Sequence, residues 1–138
     1  MTAGWQLAQA AEDFIGVPFR PGGRDPATGL DCLGLVLAAL DRAGFAAPAI
    51  SSGPWRRLSH SDTLALLPLH GFRPVQGQTT AGDLLIARTG PGQHHVLVHG
   101  RGAYAIHAHA GLRRVVRTTE PIGTPIARWR LTADDPQD

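Results

Sequence analysis

The chain has 138 residues, with 13 basic residues against 11 acidic ones, a formal charge of +2. That length suits one domain able to bury a core unaided, and a single cysteine excludes an intramolecular disulfide. Every basic residue is arginine, scattered from Arg20 to Arg130 without a long run, so the charge argues against nucleic acid as a partner.

The first stretch, Met1 to Val17, carries Glu12-Asp13, lacks a basic n-region and has no long apolar core. It does not read as a secretory signal, and no segment reaches the roughly 20 apolar residues of a membrane span. The expectation is a protein made in the cytoplasm without a signal peptide or membrane insertion, which something else carries if it acts outside. Trp5, Leu7, Ala8, Ala11, Phe14 and Ile15 recur at helical spacing, which predicts an amphipathic helix over Thr2 to Ile15 with Thr2 as its cap. From Val17 to Gly29 the chain is crowded with Pro and Gly and reads as a shaped loop without regular structure.

The loop leads into Asp31-Cys32-Leu33-Gly34, the start of a second helical run to Ala43. Asp31 is a good N-cap, since its carboxylate can accept from the free N–H groups of the first turn. Cys32 then takes the first helical position, where the helix terminus favours a thiolate and so a reactive cysteine. The competing reading is a small buried cysteine that packs like alanine.

Further on, Trp55 reads as an anchor in a loop and Ser61 to Leu69 as a short capped helix. Phe72 to Val75 reads as a short strand. The period then becomes strand-like: Asp83–Arg88, His94–His99, Ala103–His109, Leu112–Thr118 and Pro125–Trp129 alternate and are separated by glycine-containing turns. Helices first and a meander afterwards predict an α+β domain over residues 1–131, helices packed on a central antiparallel β-sheet, with a polar tail at 132–138.

Five of the seven histidines, at 94, 95, 99, 107 and 109, fall in the two central strands. Pairing those strands about Arg101 puts His95 opposite His107, with Leu97 and Ala105 as same-face neighbours under a helix. If the Cys32 helix docks on that face, thiol, base and a third polar group meet, which is the arrangement of nucleophilic catalysis. A three-histidine metal site of His95, His107 and His109 is the alternative, but no carboxylate or cysteine ligand lies in the same two strands to complete it.

These pieces together resemble the NlpC/P60 family of cell-wall cysteine peptidases. The resemblance runs through Gly16-Val17-Pro18-Phe19-Arg20-Pro21-Gly22-Gly23, Asp31-Cys32-Leu33-Gly34-Leu35-Val36, Gly82-Asp83-Leu84, His95-Val96-Leu97-Val98 and Ala105-Ile106-His107-Ala108, in the family's order. It implies a papain-like fold with Cys32 as nucleophile, His95 as general base and then acid, and His107 as the third polar residue. It also implies substrate contacts at Phe19 and Asp31, no cofactor or metal, and a peptidoglycan stem peptide as the molecule attacked. Phe19 stands where the family usually has tyrosine, so a hydroxyl near the centre is missing. The chain further resembles the short family members of phage tails and gene transfer agents, which implies tail or baseplate proteins as partners and action in the periplasm or cell wall. A catalytically weak or inactive structural component of such a tail is the competing expectation.

Overall fold

The structure, a computed structural model, describes residues 2–45 and 71–132. The predicted anchor Trp55 and the short helix over Ser61 to Leu69 lie outside the described residues. Helix α1 spans Ala3–Asp13, with Thr2 as N-cap accepting from the Trp5 N–H at 3.0 Å. Its buried stripe of Leu7, Ala8 and Ala11 faces helix α2, Cys32–Arg42. From Cys32 to Leu40 every residue of α2 is buried, as befits a helix apolar on all sides, and it runs between α1 and the sheet.

Strands β1 (Arg24–Asp25) and β2 (Gly29–Leu30) form a small ladder, with Arg24 opposite Leu30. The segment read as wholly irregular therefore contains paired structure. Its prolines and glycines set the bends, while Pro18 bridges Arg114 and Phe19 bridges Leu30. The main sheet has six strands: β3 (Phe72–Pro74), β4 (Leu84–Gly90), β5 (Gln93–His99), β6 (Ala105–His109), β7 (Arg114–Thr118) and β8 (Thr124–Leu131). They lie in the order β3-β8-β4-β5-β6-β7, each pair antiparallel. The α+β expectation and its antiparallel sheet are met.

The register of the central hairpin differs from the expected one. Val98 pairs with Ile106 and His99 with Ala105, so the pairing is centred on Gly102 rather than Arg101. The turn is longer than the glycines suggest because Tyr104 belongs to it: Gly100 N–H donates to the Tyr104 carbonyl at 2.8 Å. The Tyr104 hydroxyl is held 2.5 Å from Glu12 Oε1 on α1, whose Oε2 also takes the Arg101 Nε–H at 2.7 Å. A contact to the first helix, 89 residues back from Arg101 and 92 from Tyr104, thus fixes the turn, and no local signal carries it.

The face under the helices also differs. Val96, Val98, Ile106 and Ala108 join Leu35, Val36, Leu40 and Leu7 in the main core. Leu97 and Ala105 point to the other side of the sheet, where they pack with Ala87, Leu85 and Ile122. Both faces of the central strands are apolar, and alternation alone does not say which one the helices cover.

Candidate active site

Asp31 caps α2 as predicted and does more. Its Oδ1 accepts from Gly34 N–H at 2.7 Å and from Arg24 Nη1 at 2.6 Å, and its Oδ2 accepts from Gly22 N–H at 3.1 Å. One buried carboxylate thus ties the loop, the helix start and an arginine together. Burial pushes its pKa up, against the opposing pull of the Gly34 and Gly22 N–H groups and the Arg24 charge. Arg24 was missed in the sequence because it reaches Asp31 only through the β1–β2 ladder; the tight Gly22-Gly23 turn before it is the one available hint.

Gly34 fills the fourth position of the Asp31-Cys32-Leu33-Gly34 stretch for a steric reason. A Cβ there would run into the backbone carbonyl of Gly23, so only glycine lets the loop lie against the first turn of α2.

Cys32 opens α2 and shares a cavity of about 330 Å³ with His95. Phe19, Asp31, His94 and Gln93 also line it. Phe19 is half-buried and packs on the main core, its ring forming cavity wall in place of a hydroxyl. His94 is half-buried in the same wall.

His95 Nε2 lies 2.9 Å from His107 Nδ1, with the two rings edge to face. The expected pair exists, although it is not directly opposed in the ladder. The β5–β6 pairing comprises Val98–Ile106 and His99–Ala105, and the histidines meet beyond its end. His107 is only 3% exposed, and its ring centroid stands 5.3 Å from that of His109. Of the remaining histidines, His99 lies at the other end of β5, where its N–H bonds the Asp83 carbonyl at 2.8 Å. His60 and His70 fall outside the described residues. Among the described residues, no group of three His, Cys, Asp or Glu side chains is disposed to hold a metal ion.

The electrostatics overturn the expectation of a resting thiolate. Burial pushes the Cys32 thiol up to about 11, and the Asp31 charge adds to this. The backbone amides of Val96 and Leu33 and the Arg24 charge oppose without prevailing. Burial likewise lowers His95 to about 4, helped by His107 and His109, and lowers His107 to about 4 with help from His109. Desolvation disfavours every charged form, so the resting site holds a neutral thiol and two neutral imidazoles.

A helix-borne cysteine and a histidine pair on an antiparallel sheet define a papain-like α+β domain. The sequence profile of the NlpC/P60 family matches residues 16–125, and the chain belongs to that family. Among solved structures, it is similar to the NlpC/P60 domain of the peptidoglycan hydrolase SagA, at 26% identity and a TM-score of 0.62, covering 93% of this chain and 98% of that one. It is also similar to the peptidoglycan hydrolase RipB of Mycobacterium tuberculosis, at 22% identity and a TM-score of 0.63, covering 95% and 65% respectively. NlpC1 of Trichomonas vaginalis matches at 21% identity and a TM-score of 0.66, covering 94% of this chain but only 45% of its own. The search of curated proteins found no match.

Proposed function

We propose that this chain is a cysteine peptidase that hydrolyses amide bonds in the stem peptides of peptidoglycan. The observation that carries the reading is the His95–His107 contact at 2.9 Å beside a cavity that Cys32 also lines. Family membership and the hydrolase named for the SagA and RipB structures support the substrate class.

In this reading His95 uses Nε2–H to hold His107 Nδ1 and presents its Nδ1 lone pair to the cavity. With thiol and imidazole both neutral at rest, the proton leaves Cys32 for His95 as sulfur attacks the carbonyl, rather than beforehand. His95 then protonates the leaving amine, and a water deprotonated by His95 releases the acyl group. The backbone N–H of Cys32 and a neighbouring donor hold the oxyanion in this reading. Purified muropeptides incubated with the protein and with Cys32→Ala test this: release of stem peptide fragments is expected only from the unaltered chain. Equal and undetectable turnover in both would sink the reading.

The second reading, a weakly active or inactive structural component, is favoured by Phe19 and by the high thiol pKa. Both readings expect slow alkylation by iodoacetamide at neutral pH, with a rate that climbs toward pH 11. Phe19→Tyr separates them, because restored side-chain hydroxyl chemistry raises turnover only in a working site. The gain expected is up to about a hundredfold, the worth of one oxyanion donor. Association with a phage-like tail is a further proposal that rests on the resemblance of the sequence to short tail-borne members of the family. Co-sedimentation of the protein with assembled particles is the expected result, and its absence from them removes the idea.

A further inference from the structure

A groove of about 450 Å³ that His107 lines and Cys32 does not runs along β7. Ile15 and Leu112, 42% and 52% exposed, stand in its wall with Ile122. Arg114, Arg117 and His109 line it too, and no acidic side chain does so among the described residues. Arg114 sits opposite His109 in the β6–β7 ladder, on the face that also carries His107. His109 Nδ1 accepts from Leu112 N–H at 3.0 Å, so the neutral ring carries its proton on Nε2 and has a donor left.

His107 forms part of this wall, and its Nε2 is buried with no hydrogen-bond partner. On the cysteine-peptidase reading, on which this inference rests, the proton of His95 must lie on Nε2 so that Nδ1 can act as base. His107 must then accept at Nδ1 and carry its own proton on Nε2, the atom without a partner. A buried N–H left without an acceptor is costly, more so than a buried lone pair, so the histidine pair by itself favours the opposite tautomer. That tautomer puts a proton on His95 Nδ1 and blocks the base.

We propose that this groove binds a carboxylate group that accepts from His107 Nε2–H, pairs with Arg114, and thereby sets the histidine pair in its working tautomer. Leu112, 52% exposed, has to swing aside for the carboxylate to reach the buried Nε2. The ligand class is a short acid with an apolar portion, matched to a basic rim and an aliphatic wall.

The test uses the full chain with ¹⁵N-labelled histidine and N-acetyl-D-alanine as probe, an acid without a free amine, against its uncharged amide. Saturable shifts of the His107 ring nitrogens and a protected Nε2–H are expected with the acid alone. Arg114→Gln should weaken the binding about tenfold, the loss of one charge-assisted hydrogen bond. Absence of a saturable shift at His107, equal binding of the amide, or unchanged affinity in Arg114→Gln overturns the site. Shifts confined to His94 and His95 place the probe in the Cys32 cavity and overturn it too. The readout needs no turnover: shifts in a chain that cleaves nothing keep the site and remove only the peptidase reading, whereas full turnover without shifts removes the site alone.

Discussion

His95 and His107 are neutral because they are buried, and that choice has a cost that depends on pH. Each folded-state pKa, about 4, lies below the ordinary histidine value, so between these limits the unfolded chain binds more protons than the folded one. Stability therefore rises with pH across this window and is lost as pH falls from about 6.5 toward 4. The melting temperature should drop along that range, and His107→Gln should flatten the slope, measured by thermal unfolding at a series of pH values. At this scale the sequence reveals residue identities better than their states. That Cys32, His95 and His107 gather in one region is legible from motif and spacing, but the protonation of the thiol depends on how completely α2 is packed, which no local pattern reports. Arg24 escapes for a related reason, since its partner is chosen by the closing of a loop.

Helix α2 and the loop before it work as one element. Asp31 joins them by hydrogen bonds, and the Gly34–Gly23 approach leaves no room between them. Gly34→Ala must displace the Gly23 backbone, since a carbonyl cannot turn aside as a flexible side chain would. The expected loss is about 2 kcal/mol by denaturant unfolding. On the peptidase reading, turnover should fall further, on the order of a hundredfold, because Cys32 would sit misplaced. Helix starts were legible because capping is local: Thr2 and Asp31 both cap where the sequence places them. Strands β1 and β2 were not legible, whereas the strands of the main sheet were legible from alternation and glycine turns. Their register was not, because Tyr104 is drawn out of β6 by Glu12 on α1.

Across the whole molecule, Asp83 is the internal tie. It is fully buried, yet Arg130 bonds both its oxygens at 2.9 and 3.0 Å, Thr80 N–H adds a bond at 2.9 Å, and Arg128 stands at 3.4 Å. Burial works to raise its pKa, but the Arg130 and Thr80 hydrogen bonds and both arginine charges outweigh this and hold it below the usual carboxylate range. The same arginines reach Thr79, Gly77 and Gln78, so one carboxylate fastens the turn before β4 to β8. Asp83→Asn should cost about 3 kcal/mol in chemical denaturation, the low end for breaking a buried pair because both arginines keep some water. The stability that Asp83 gives is present above the ordinary aspartate pKa and is lost as pH falls through its lowered value. The Gly82-Asp83-Leu84 motif is thus readable as a strand start, but its structural role appears only once β8 lies beside β4.

The segment that leads to Cys32 also closes one margin of the sheet. Gly16 N–H bonds Val115 O at 2.9 Å, Val115 N–H bonds Val17 O at 2.8 Å, and Phe19 N–H bonds Arg113 O at 2.9 Å. At the opposite margin, β3 is three residues long and ends in Pro74, which has no N–H to offer. An uncovered strand edge recruits other chains, and both margins here are blunted against it. Loosening the Gly16–Phe19 segment would therefore do two things together: slacken the approach to Cys32 and bare β7 to a second molecule. Variants that lose activity through this segment should also self-associate, with sedimentation showing oligomers that grow with protein concentration.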